Sequence, residues 1–140
     1  MSRARCLRHL LADPRGAAAL EFGLTISFFM MLVLGIMEVG RYVAMQQSLT
    51  SAVLEGGRYA VVHGSKSSSP ATSQTITTQI QNNCGILTGS SISANVTFSP
   101  NNSPGSTVTI SATYPWVPLV PLLNLPSMTM KATSVTTILN

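Results

Sequence analysis

Charge is scarce in this chain. Only 9% of its 140 residues are Asp, Glu, Lys or Arg, and from Ser65 to Asn140 there is no Asp, Glu, His or Arg. Acid–base catalysis, activated nucleophiles and metal cages all need titratable or ligating groups that converge on one point. The outer half offers only Lys66, Lys131 and Cys84. The chain is therefore not expected to be an enzyme, nor to hold a metal, a cofactor or a small-molecule substrate. His63, the one histidine past the leader, reads as a helix-end residue facing the negative end of the dipole.

Cysteine is equally sparse. Cys6 and Cys84 are the only two, too few for a disulfide framework. Cys84 is either a small buried hydrophobe or the site of an intermolecular bridge. Proline is missing between residues 17 and 62, so a helix can run through that whole stretch. Forty-six helical residues would measure roughly 70 Å at about 1.5 Å each.

What is present is a long apolar run. Sixteen uncharged residues separate Glu21 from Glu38, and the run reaches back to Ala17 with only Glu21 interrupting it. About 20 mostly apolar residues cross a bilayer. The net charge of +4 is mostly made in front of this run, where Arg3, Arg5, Arg8 and Arg15 stand against Asp13. Such a cluster keeps its side in the cytoplasm, which predicts an N-terminus inside and everything after about Glu38 outside. Cys6 and Cys84 then lie on opposite sides and do not pair. The remaining cations are scattered and form no phosphate-tracking stripe, so nucleic acid is not an expected partner.

The expected organisation is α+β. Residues 1–16 are a leader, 17–62 a long N-terminal helix (17–38 transmembrane, 39–62 extracytoplasmic and amphipathic), 63–74 a linker, and 75–140 a small extracytoplasmic domain. In the outer helix Tyr42, Met45, Leu49, Ala52 and Tyr59 make a heptad-like apolar stripe with Gly56 in its gap. Arg41, Gln46, Gln47, Thr50, Ser51 and Arg58 fall opposite. Glu38/Arg41 and Glu55/Arg58 read as solvated i,i+3 pairs. Gly40, Ala44, Ser48, Ala52, Gly56, Ala60 and Gly64 are all small and four apart. They form either a ridge on which copies of the helix pack or a row that simply winds around it. The Gly56-Gly57 pair weakens the helix, and a kink is expected there.

Thr75–Asn83 reads as a short helix with Ile76, Ile80 and Cys84 in line and Gly85 to end it. Strands follow. Ile92 to Phe98 and Val108 to Tyr114 alternate around the turn Asn101–Gly105 and predict a hairpin. Ser127–Leu139 predicts a third strand, with Met128, Met130 and Ala132 in one phase, Val135 in the other, and a bulge near Thr133. The roughly three-stranded antiparallel sheet needs a cover, which the helix stripe supplies. Pro115 to Pro126 is a proline-rich apolar path. Its Trp116, Leu119, Val120, Leu122 and Leu123 are either tucked under the sheet or contact a partner or the bilayer surface.

Glu21 is expensive inside hydrocarbon unless neutralised or paired. A cut after Gly16 would place a free ammonium at Ala17, one turn away, and in a helix bundle the pair would mark register. Alternatively Glu21 lies at headgroup level and the span starts at Phe22. Gly16 to Phe22, G-A-A-A-L-E-F, resembles the class III prepilin-type processing site: glycine before the cut, glutamate at the fifth mature position, then an aromatic, as in Flp-type pilins. The continuation, with G-I-M-E-V-G-R-Y, Q-Q-S-L and A-V-L-E-G-G-R-Y-A, resembles TadE-like pseudopilins of the tight-adherence (Tad) system over about residues 15–61. The tail Tyr114 to Leu119 agrees more loosely.

That resemblance implies a pilin-like fold and cleavage between Gly16 and Ala17 by a prepilin peptidase, with Glu21 and Phe22 as the recognition and assembly pair. It also implies a minor subunit of Flp-type pilus assembly in surface adherence and biofilm formation. Its implied partners are the peptidase, other pilins or pseudopilins, the inner-membrane Tad assembly platform and the lipid bilayer. Its implied location is the bacterial inner membrane, single-pass, with the outer domain periplasmic. The rival expectation is an uncleaved, single-pass anchored extracytoplasmic binding module.

Overall fold

In a computed structural model the described residues are 14–120 and 126–139. Most of the expected leader, with Cys6, and the Leu122 and Leu123 part of the proline-rich path lie outside the described residues. The chain divides into two compact units, one up to Val39 and one from Gly40 to Asn140. The element α1, Pro14–Val62, runs through both. Proline suits the first turn of a helix, where its missing N–H has no intrahelical partner to lose.

The first unit is the early part of α1. Its large apolar side chains point to all sides and are exposed, among them Leu20, Phe22, Leu24, Phe28, Phe29 and Ile36. A helix apolar all round belongs in a bundle or a bilayer. It is long and apolar enough to cross a membrane, and only 6% of its most apolar window is buried within the chain, unlike the core helix of a soluble domain. Ser27 donates to the Gly23 carbonyl at 2.7 Å, which hides its hydroxyl inside the helix's own bonding.

The second unit is an α+β fold. It comprises the outer part of α1, then α2 (Ser73–Asn82), a 3₁₀ turn at Gly89–Ser91, and strands β1 (Ser93–Ser99), β2 (Thr107–Trp116) and β3 (Met128–Thr137). The sheet is an antiparallel meander in the order β1-β2-β3. Its inward residues, including Val96, Val108, Ile110, Ala112, Met130 and Ala132, share one core with Leu49, Ala52, Val53 and Ala60 of α1 and Ile76 and Ile80 of α2. Tyr42, Met45 and Tyr59 pack on its margin, so the helix stripe does cover the sheet.

The helix α2 starts two residues earlier than the apolar pattern indicates, because Thr72 caps it. The Thr72 hydroxyl accepts from the Thr75 N–H, and the Thr75 hydroxyl accepts from the Thr72 N–H. This is a capping box with threonine in place of the usual Glu or Gln. Gly85 follows at φ +60°, a backbone region that glycine enters without the Cβ penalty.

The expected bulge near Thr133 is absent. Register is continuous from Thr107↔Thr137 to Trp116↔Met128. Phase is kept by placing Ser134 inside and Val135 outside. The reason lies across the interface: at Gly57 an added β carbon would stand 3.1 Å from Ser134 Oγ. The bare glycine backbone and the small serine fit each other where a larger pair would not. Pro115 sits in β2 past the last β1 partner, Ser93↔Thr113, where β2 has a neighbour on one side only, the kind of strand position to which proline is confined.

Candidate processing and assembly site

Gly16, Ala17, Glu21 and Phe22 all lie in the opening turns of α1 and all are exposed. Residues four apart share a helix face, so Ala17 and Glu21 are stacked one turn from each other. A cut after Gly16 would create three positive features at one place: the α-ammonium, the unpaired first N–H groups, and the helix dipole. Glu21 stands just past that turn, where a carboxylate is electrostatically favoured. Among the described residues nothing covers it.

The small-residue row divides. Gly40 and Ala44 are exposed, and a β carbon added at Gly40 would meet nothing within 4 Å. Ser48 donates to the Cys84 carbonyl. Ala52, Gly56 and Ala60 are buried in their own domain. At Gly56 an added β carbon would come within 2.7 Å of Ile80 Cγ1. These three positions therefore serve the packing of α2 and the sheet on α1, and a neighbouring helix cannot reach them.

Arg41 and Gln46 also depart from the expected solvated face. Gln46 donates to the Lys131 carbonyl at 2.8 Å. Arg41 donates to the Val117 carbonyl at 2.7 Å and lies over the Trp116 ring, 5.6 Å from its centroid. Glu38 is buried, so Glu38 and Arg41 are not a freely solvated pair. Glu55 and Arg58 are exposed as expected.

Trp116 is corrected in the same way. It is 2% exposed, a core residue, with Tyr42 edge-on at 5.4 Å and 88°. It is not available to a partner. Leu119 is exposed and Val120 half-buried, so among the described residues the proline-rich path is tucked in at Trp116 and exposed at Leu119. Cys84 is buried, with its thiol against the Gln81 and Leu87 carbonyls. His63 stacks on Tyr59 at 4.0 Å and sets Nδ1 3.0 Å from the Tyr59 carbonyl, at the helix end where such contacts are favourable. The sequence reading missed Val53 as a core residue and the Arg41–Trp116 stack. Val53 could have been found as the residue four after Leu49. Nothing local links positions 41 and 116.

Among the described residues the early part of α1, which includes Gly16 to Phe22, is uncovered, and the same helix continues into the second, folded unit. This segment is TadE-like. The family model for TadE-like proteins matches residues 16–58, which takes in Gly16, Ala17, Glu21, Phe22, the apolar run and the outer helix as far as Arg58. No match was found among curated proteins or among solved structures. The TadE-like match thus stops short of α2 and the sheet. An apolar N-terminal helix followed by a folded domain fits a membrane-anchored, pilin-like protein associated with the Tad system.

Proposed function

We propose that this chain is a minor pilin or pseudopilin of a tight-adherence system. It is inserted in the bacterial inner membrane with its N-terminus cytoplasmic and its outer domain periplasmic. A prepilin peptidase cuts it between Gly16 and Ala17, and it then assists assembly of Flp-type pili for adherence and biofilm formation. Its work is structural, through helix association in the membrane platform or filament, and not catalytic. The observation that carries this reading is the coincidence of the TadE-like match with Glu21, one turn after Ala17 on an uncovered apolar helix.

The role of Glu21 follows from its setting. In a low-dielectric bundle a lone carboxylate is costly, and an ammonium from the same or a neighbouring chain offsets that cost. The rival, an uncleaved binding module, would capture a ligand or surface through the sheet and the Trp116 loop; Trp116 itself is buried, while Val117 and Leu119 of that loop are exposed. The test is complementation in the native host. Glu21→Ala should still enter the inner membrane yet fail to restore pili to a strain lacking the wild-type chain. Full restoration by that variant would count against the proposal.

A further inference from the structure

We infer that the middle of the outer edge of β3, from Thr133 to Thr137, is a strand-addition site for an extended, acidic segment of a partner polypeptide. In an antiparallel pair, successive residues alternate between bonding the neighbouring strand and turning their N–H and C=O groups away from it. The end of β3 sets the phase. The Ile138 N–H donates to the carbonyl of Ser106, just before β2, and the Leu139 N–H turns away to the Val61 carbonyl of α1. The Lys131 carbonyl also turns away and accepts from Gln46 at 2.8 Å. By the same alternation Thr133, Val135 and Thr137 turn both backbone groups outward, and these groups have no bonding partner among the described residues. The edge is thus tied to α1 at Lys131 and at Leu139 and is open between them.

The other edge of the sheet is better closed. β1 turns its even-numbered residues outward, and there the Ser73 hydroxyl donates to the Val96 carbonyl and the Gln81 amide to the Ile92 carbonyl, both from α2. β3 has few of the usual guards of an exposed edge. It holds no proline, its register has no bulge, and Lys131 is its one charge. Such an edge is a template for another strand. Main-chain bonds supply the affinity, and side chains at alternate positions supply the selectivity.

Its neighbours set what it selects. On the outer face Lys131, Thr133, Val135 and Thr137 are exposed, and Val135, at 63%, is the one large apolar side chain among them. On the inner side Gly57 of α1 faces Ser134 and Thr136. Leu54, three residues earlier on the same side of α1, is 52% exposed. Glu55, two residues before Gly57, does not share that side. An apolar residue opposite Val135 and a carboxylate opposite Lys131 suit this edge. Ser65 to Asn140 contains no Asp or Glu, so β3 of a second copy brings no carboxylate to Lys131. Charge complementarity therefore favours a different, acidic chain.

The test is amide hydrogen exchange, read by NMR on the full chain in detergent. The probe is a synthetic peptide of about nine residues, with valine at its centre, threonine elsewhere and glutamate at both ends. One glutamate then lies opposite Lys131 whichever way the peptide runs. Without peptide, the amides of Thr133, Val135 and Thr137 should exchange at least about tenfold faster than those of Ala132, Ser134 and Thr136. Saturating peptide should slow the exposed set by about tenfold or more, and a peptide with lysine at both ends should need a higher concentration for the same effect. Val135→Pro removes an outward N–H and no ladder bond, and it should abolish the protection. If that variant does not fold, Lys131→Glu, at an exposed position, should reverse the preference between the two peptides. Protection of these amides in the free chain at low concentration, no protection by either peptide, or equal protection by both would overturn the inference. Protection that grows with protein concentration alone would also overturn it, in favour of a second copy.

Discussion

Gly56 of α1 stands so close to Ile80 of α2 that a β carbon on the glycine would lie 2.7 Å from Ile80 Cγ1. Ile80 is wholly buried and β-branched, so the opposing atom is held in the middle of a stiff side chain and is not a free end. Gly56→Ala would gain about 1 kcal/mol in helix propensity and lose about 1–3 kcal/mol to overpacking. We expect a net destabilisation of roughly 1 kcal/mol, set by those two terms. Gly40→Ala, where added bulk meets nothing, should stabilise by up to about 1 kcal/mol. Denaturant unfolding of the full chain in detergent measures both, and a stabilised Gly56→Ala would show that α2 is not seated against α1 as described.

Trp116 gives a second prediction with a clear contrast. As a core residue edge-on to Tyr42 and beneath the Arg41 guanidinium, its replacement by alanine should cost about 3–5 kcal/mol. Leu119→Ala, at an exposed position, should stay within about 0.5 kcal/mol of wild type. Thermal unfolding followed by tryptophan-independent far-UV circular dichroism distinguishes them. Similar small losses for both would return Trp116 to the surface.

Cys84 should behave as a packed small hydrophobe. Its thiol is buried against two carbonyls, which leaves no path to a partner's sulfur. Maleimide labelling of the native chain in a Cys6→Ser background should be negligible and should become complete in denaturant. A Cys84-dependent dimer on a non-reducing gel would contradict the placement.

The elements of the outer domain were legible because their periods are plain. Ile76 and Ile80 are four apart, and Val108, Ile110 and Ala112 alternate. The stripe Tyr42, Met45, Leu49 and Ala52 pointed at the sheet for the same reason. What stayed hidden was decided by pairs distant in sequence. Val135 looked like a phase break until Gly57 was seen to accept Ser134 on the inner face. Arg41 looked solvated because no helix-local feature announces a carbonyl acceptor at Val117. The row of small residues could be read as a ridge or as a row winding around the helix, and its second half is covered by Ile80 and the core. The Thr72 cap was missed because Thr75 replaces the acidic partner that usually marks such a box. The proposed processing site rests on a motif of adjacent residues, Gly16 to Phe22, and so owes nothing to the packing of the second unit.

The most direct test of the account is the intact mass of the protein extracted from the membranes of its native host, with Gly16→Leu run alongside. The account predicts a mature chain beginning at Ala17, and a full-length chain in the variant. A full-length wild-type mass in cells that contain the peptidase would contradict it.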